Sequence, residues 1–215
     1  MPMKEPDKEE SSWSKIADGV FLAHLFNKEQ CTSMLQSIRI RSGGESLRGT
    51  QPNSMQEYGM VLDDPILAGK IARLANEQLE KAIRGLFPNF PHYKFSEHYA
   101  FLTSYGKDAN QDLSLHVDAS HLTLNICLES NAHGADLIFT GARCRNHVDE
   151  APDKCPASVR FKRGDALLHL GNQRHFVTPL ASGRRHNLVI WYRLYGEGFE
   201  HNNPWVKRLC PACQK

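Results

Sequence analysis

From Glu97 to Leu194 the chain runs in short stretches dense in aliphatic and aromatic residues, broken by Gly, Pro, Asn, Asp and Ser. Such stretches predict strands over Tyr99–Tyr105, Asp112–Val117, Leu122–Leu128, Ala135–Thr140, Ser158–Phe161, Ala166–Leu170, Arg174–Leu180 and Arg185–Leu194. Gly164-Asp165 and Ser182-Gly183 supply tight-turn pairs between them. Seven or eight strands with no intervening helix indicate a sandwich, jelly roll or barrel. The preceding segment has another texture. Val20–Phe26 is an apolar strand, and Asn27 caps a helix in which Cys31, Met34, Leu35 and Ile38 fall at i, i+3, i+4 and i+7. Arg41–Asn53, rich in Gly and Ser, reads as a loop. Asp64 and Pro65 then open a second helix with Leu67, Ile71, Leu74, Leu79, Ile83 and Leu86 on one stripe, ended by Gly85 and Pro88. That stripe is expected to pack on an outer sheet face.

The fold class expected is therefore α+β: supporting helices over 16–95, a β core over 96–194, a disordered lead over 1–15 and a tail over 195–215. At 215 residues one domain buries enough surface to fold without a metal or disulfide, so any metal site would be functional. Lys+Arg 26 against Asp+Glu 24 leaves a net charge of +2, which argues against a dedicated nucleic-acid partner. The polar N-terminus lacks an apolar signal core, and no apolar run approaches the ~18 residues of a membrane span. A cytoplasmic or nuclear chain with no membrane partner is expected. Six sparse cysteines read as reduced thiols.

The chemistry concentrates at His116-Val117-Asp118, which ends an apolar strand. Period-two alternation puts His116 and Asp118 on one side. A third ligand from another strand would complete two His and one carboxylate on one face of an octahedron, the open arrangement that suits Fe(II) oxygenases. His147-Val148-Asp149 repeats the tripeptide in a charged stretch without a flanking strand, and reads as a solvated loop. The third ligand is one of His169, His175 and His186. A bound 2-oxo acid needs a cation for its distal carboxylate, and Arg is the better fork. Ten residues beyond His169 is Pro179, and ten beyond His186 is Gly196; ten beyond His175 is Arg185. Arg174–Leu180 and Arg185–Leu194 read as adjacent antiparallel strands that place His175 near Arg185. His169 reads as a satisfied core histidine.

These residues carry a resemblance. "LSLHVDASHLTLNICL", "GADLIFTG", "RGDALLHL" and "RHFVTPLASGRRHNLVIWYR" are similar to the iron(II) and 2-oxoglutarate-dependent dioxygenases of the prolyl/lysyl hydroxylase-like group. "QPNSMQEYGMVL", Gln51 to Leu62, resembles the proteins described as 2-oxoglutarate and iron-dependent oxygenase domain-containing. The likeness spans about Gln51 to Arg193. It implies a double-stranded β-helix (jelly roll) holding Fe(II) on His116, Asp118 and His175, with Arg185 on the C5 carboxylate of 2-oxoglutarate. It further implies that Tyr105 hydrogen-bonds that carboxylate and that Asn125 lies beside the co-substrate. Gly134-Ala135-Asp136 departs from the two glycines and acidic residue usual in relatives.

The activity implied is hydroxylation of a C–H bond, with O2 consumed, 2-oxoglutarate decarboxylated to succinate and ascorbate as a possible auxiliary reductant. A protein or peptide side chain, prolyl or lysyl, is the leading substrate, with a small molecule behind it. Residues of Gly43–Tyr58 and Arg143–Ala157 are expected to line the mouth. Two alternatives stand beside this: a nucleic-acid dealkylating dioxygenase, of which Arg193 is a loose echo, and a non-catalytic jelly-roll binding module. Cys210-Pro211-Ala212-Cys213 has the spacing of half a zinc site, for which Cys144, Cys155 or His201 could supply the rest; a mobile or redox-active tail is the expectation for it.

Overall fold

The computed structural model describes residues 13–41, 51–63, 69, 73, 79–80, 82–87, 94–151, 156–195 and 210–214. In chain order these contain β1 (Ser14–Ala17), β2 (Val20–His24), α1 (Lys28–Arg41), β3 (Gly59–Val61), β4 (Lys94–Gly106), β5 (Leu113–His116), β6 (Leu122–Ser130), β7 (His133–Gly134) and β8 (Leu137–Ala142). After a 3-10 turn at Arg145–His147 come β9 (Ala157–Val159), β10 (Asp165–Leu170), β11 (Gln173–Val177), β12 (Leu180–Ser182) and β13 (Arg184–Tyr195), and a second 3-10 turn covers Pro211–Gln214. The strands form a seven-stranded sheet, β1-β2-β10-β6-β13-β4-β3, a four-stranded sheet, β5-β11-β8-β9, and the small pair β12-β7. Neighbouring strands within these sheets pair antiparallel.

Strand periodicity sorts the large sheet into two faces. Leu122, Leu124, Ile126 and Leu128 of β6, Leu168 of β10, and Leu188 and Ile190 of β13 face a core shared with Cys31, Leu35 and Ile38 of α1 and with Leu79 and Ile83. The alternate positions face the small sheet. Among them Cys127, Leu167 and Tyr105 pack with Leu137, Phe139, Phe161 and Val177. The capping expected of Asn27 is present: its Oδ1 accepts from Gln30 N, and Gln30 Oε1 accepts from Asn27 N, both at 2.9 Å. The second helix is described at 69, 73, 79–80 and 82–86; Asp64, Pro65, Leu67, Ile71 and Leu74 lie outside the described residues.

Two sequence expectations need correction. Arg174–Leu180 is not one strand paired to Arg185–Leu194. The chain leaves β11 after Val177, runs through Pro179 into β12, turns at Gly183 (φ 81°), and enters β13 in the opposite sheet. His175 and Arg185 therefore face one cavity from opposite sheets rather than pairing across a ladder. Second, β5 ends at His116, so alternation does not aim Asp118. The Asp118 N–H donates to Gly171 O at 2.8 Å, and Gly171 N–H to His121 O at 3.0 Å. A Cβ on Gly171 would stand 1.9 Å from Ser120 O, so only glycine lets the β10–β11 turn press against this loop.

Candidate active site

The gap between the sheets holds a cavity of about 370 Å³ lined, among others, by His116, Asp118, His175, Arg185, Tyr105 and Asn125. All six candidate residues thus meet in one space. On β5 a register shift separates Leu113, opposite Val177, from His116, opposite His175. The bulge turns His116 to the same side as Leu113 although they are an odd number of residues apart.

At one end stand the two imidazoles and the carboxylate. Ring centroids of His116 and His175 are 4.2 Å apart. Asp118 Oδ1 lies 3.5 Å from His116 Nε2 and 3.8 Å from His175 Nε2. Each histidine places Nδ1 2.8 Å from a backbone carbonyl, Ser114 O or Gln173 O. A proton on Nδ1 donates there and leaves the Nε2 lone pair toward Asp118. Thr123 Oγ1 donates to Asp118 Oδ2 at 2.6 Å, which leaves Oδ1 to share a point with the two nitrogens. These three ligand atoms lie within 4.8 Å of one another and could hold a metal ion.

The electrostatics agree. Burial would raise the Asp118 carboxyl, but the imidazoles of His175, His116 and His169 hold it well below the usual carboxylate range. Burial and the neighbouring His116 push His175 down to about 3, so its ring is neutral. Burial opposes charge on His116 as well, yet the Asp118 carboxylate beside it raises its pKa, so a cation would take the place of the proton that Asp118 favours there. An ionised carboxylate and free imidazole nitrogens are the forms a divalent cation binds.

At the other end Arg185 is 2% exposed. One of its terminal nitrogens donates to Ala135 O, its guanidinium sits over the Tyr105 ring at 4.6 Å from the centroid, and its Nε has no partner. Asp136, the nearby carboxylate, is held by a bidentate pair with Arg160 at 3.1 and 3.0 Å. Burial lowers the Arg185 pKa from its usual value, opposed by Tyr105. Burial likewise raises Tyr105, opposed by the Arg185 charge. A buried guanidinium with an orphaned N–H in a cavity fits an incoming carboxylate. Ala135, whose carbonyl orients it, is the non-glycine residue with positive φ (52°) among those described, and such strain often gathers at functional sites. Asn125 Oδ1 accepts from Asn187 Nδ2 at 2.7 Å, and Asn187 Oδ1 is buried without a partner.

Several residues were not singled out by sequence. Gln56 is buried with Nε2 3.3 Å from Tyr105 Oη and Oε1 unpartnered. Its loop is held by Asn110, whose Oδ1 accepts from Glu57 N and Tyr58 N and whose Nδ2 donates to Tyr58 O and Ser104 O. Only the motif 51–62 hinted at it. His169, read as a core histidine, is buried outside the ligand group, with Nδ1 2.9 Å from Leu170 O and Nε2 3.7 Å from Asp118 Oδ2. Of the expected mouth, 53–56 and Arg145 line the cavity; 42–50 and 152–155 lie outside the described residues. Arg193 is exposed and does not line the cavity.

The second tripeptide also needs correction. His147 is not in a loop without support. Buried Arg174 donates from Nε to Thr140 Oγ1 at 2.8 Å, from Nη1 to Val148 O at 2.8 Å and from Nη2 to Ala151 O at 3.3 Å. Arg143 Nη2 donates to Ala151 O at 2.6 Å. Two arginines thus fix the loop from inside.

No protein-family model matches the chain. The "2-oxoglutarate and iron-dependent oxygenase domain-containing protein ICU11" of Arabidopsis thaliana is 32% identical over 187 residues, covering 85% of this chain and 47% of that protein. The chain spans about half the length of the curated relatives it matches. Among solved structures, a Pseudomonas putida prolyl-4-hydroxylase superposes with a TM-score of 0.60 at 16% identity, over 84% of this chain and 95% of that one. A Trichoplax adhaerens prolyl hydroxylase in complex with a hypoxia inducible factor oxygen degradation domain peptide fragment does so with 0.58 at 14% identity, over 82% and 84%. These likenesses identify the fold as the hydroxylase jelly roll.

Proposed function

From the premise that this chain is a homologue of the 2-oxoglutarate and iron-dependent oxygenase domain-containing proteins, we propose that it hydroxylates a C–H bond of a peptide side chain, prolyl or lysyl. The observation that carries the reading is one cavity with a carboxylate oxygen facing two oriented imidazole nitrogens at one end and a buried, incompletely satisfied guanidinium at the other.

His116, Asp118 and His175 would hold Fe(II), two imidazoles and one carboxylate being a donor set that suits non-haem iron. When bound, the iron and 2-oxoglutarate supply O2 activation driven by decarboxylation of the keto acid to succinate. The chain's own residues do the positioning. Arg185 takes the C5 carboxylate, and Tyr105, hydrogen-bonded to Gln56, donates its hydroxyl proton to the same group. Asn125 and Asn187 border the keto acid, and the unpartnered Asn187 Oδ1 accepts from any donor there. Leu137 and Val177 line the apolar wall, backed by Phe139, whose ring centroid lies 5.3 Å from that of His175, and keep bulk water off the metal side. Met55, Trp191 and Arg145 at the rim receive the substrate.

A peptide is favoured because an extended chain lying across the rim can place one side chain in a cavity of about 370 Å³; the Trichoplax neighbour was solved with a peptide fragment. The test is succinate release over a panel of prolyl- and lysyl-containing peptides with Fe(II) and 2-oxoglutarate, products read by a mass gain of one oxygen. Peptide-stimulated succinate with matching hydroxylation is expected. A weak visible charge-transfer band should also appear when Fe(II) and 2-oxoglutarate are added without oxygen. Absence of that band from folded protein would sink the reading.

A further inference from the structure

A second group of ligand atoms lies apart from the cavity's triad. Cys144 caps the first 3-10 turn and His147 ends it, while Cys210 precedes the second and Cys213 lies within it. In both, the N–H of the third residue on donates back, His147 N to Cys144 O and Cys213 N to Cys210 O, each at 3.0 Å. With three residues per turn, side chains at i and i+3 project together. Each turn thus offers a two-pronged grip, and the two grips face one another. Cys144 Sγ is 3.2 Å from His147 Nδ1 and 3.6 Å from Cys213 Sγ, while His147 Nδ1 is 3.6 Å from Cys210 Sγ and 3.4 Å from Cys213 Sγ. All four atoms lie within 4.8 Å of one another, and all three thiols are free.

We infer that Cys144, His147, Cys210 and Cys213 form a closed Cys3His site for a structural zinc ion. Zn–S bonds of about 2.3 Å and a Zn–N bond of about 2.1 Å at tetrahedral angles set ligand atoms about 3.6–3.8 Å apart, close to the separations here. Four protein ligands leave no position for water or substrate, so the ion holds structure. What it holds is specific. It clips 210–214 onto the loop whose inner side is fixed by Arg143 and Arg174, and Arg145, between the two loop ligands, lines the cavity rim. On this view the His-Val-Asp repeat contributes its histidine to zinc, and C-x-x-H joins C-x-x-C across the fold. A redox pair, the expectation for the CxxC motif alone, would not need the histidine.

The inference is independent of the oxygenase reading, and metal content separates them. The full chain, purified without chelator, is expected to hold about one zinc per chain by mass spectrometry of the elements. His175→Ala, which disables the iron triad, should keep that zinc; Cys213→Ser and His147→Ala should lose it. Because those variants could misfold, the parent is also exchanged with Co(II). Intense d–d bands with a thiolate-to-cobalt charge-transfer band are expected, unchanged in His175→Ala. A zinc-free folded parent lacking the cobalt bands overturns the inference. So does zinc that leaves with His175→Ala and stays in Cys213→Ser, or a disulfide among Cys144, Cys210 and Cys213 in the purified protein.

Discussion

Thr123 Oγ1 donates a 2.6 Å hydrogen bond to Asp118 Oδ2, and the other oxygen of that carboxylate faces the Nε2 atoms of His116 and His175. The hydroxyl is itself 2.8 Å from Ser120 Oγ, and because it donates to Asp118 it accepts from that serine. A chain of two hydroxyls therefore sets which carboxylate oxygen is offered. Thr123 lies on the cavity face of β6, one residue from Leu122 and Leu124 of the helix-facing core, so strand alternation alone brings it to Asp118.

Thr123→Val keeps the shape and removes the donor. Asp118 then loses the bond that fixes which oxygen faces the imidazoles and favours its ionised form, and metal affinity should fall about 10–100-fold. Fe(II) titration under anaerobic conditions measures it, with circular dichroism as the check on folding. Affinity equal to the parent's would show that the carboxylate is held by its backbone alone.

Arg185 gives two effects of opposite sign. Its Nε is buried and unpartnered, and no carboxylate among the described residues forms an ion pair with it. Arg185→Met should raise the 2-oxoglutarate requirement on the order of 10²-fold or more, because the co-substrate carboxylate loses a buried charged partner. The ligand-free variant should melt no lower than the parent, since an uncompensated buried charge is replaced by an apolar chain of similar length. Thermal midpoints with and without 2-oxoglutarate read both. A large drop without ligand, and an unchanged ligand-induced rise, would contradict the assignment.

Much of this was legible in sequence where the information is local. The eight strands predicted from apolar runs correspond to β4–β6, β8–β11 and β13, with the last part of Arg174–Leu180 becoming β12, and the H-x-D tripeptide and the ten-residue spacing to Arg185 point to His116, Asp118 and His175. What was not legible depends on contacts between distant segments. The bulge that aims His116 appears only when β5 meets β11. Pro179 and Gly183 mark a break, but whether β13 then returns to the same sheet is decided by the partners of β4 and β6. Gln56 reaches Tyr105 because Asn110 clamps its loop 53 residues away in sequence from Glu57. His147 looked solvated because the arginine that fixes its loop, Arg174, lies on a strand where it reads as one more charged edge residue.

Gly171 is the backbone counterpart of Thr123. Its carbonyl accepts from Asp118 N, and a Cβ there would meet Ser120 O at 1.9 Å and Ser120 Oγ at 2.7 Å. The first of these is backbone and cannot swing aside. Gly171→Ala should therefore push the 118–121 loop outward, weaken iron binding at least as much as Thr123→Val, and cost about 1–3 kcal/mol of stability. Denaturant unfolding with and without Fe(II) tests it. A variant with full stability and full iron affinity would mean that the β10–β11 turn does not support Asp118.

His186, on β13 at the helix-facing side, gives a pH dependence independent of the metal. It is buried, with Nδ1 3.0 Å from Ser104 Oγ and Nε2 3.7 Å from Glu129 Oε2. Burial pushes its pKa down to about 4; Glu129 opposes this, while Arg39 and Arg184 reinforce it. In the unfolded chain the same ring titrates near its ordinary value of about 6.5. Between these two values the unfolded state holds a proton that the folded state does not, so falling pH draws the equilibrium toward unfolding. The stability is complete above about pH 6.5 and is lost progressively down to about pH 4, where the folded ring also protonates. The full loss is about 3 kcal/mol. His186→Gln cannot titrate, so its unfolding free energy should change by about 3 kcal/mol less than the parent's over that interval. Urea unfolding at both ends, with chelator present in both proteins, isolates the effect, because the triad histidines then titrate alike in each. Equal pH slopes for parent and variant would show that Glu129 keeps His186 charged in the fold.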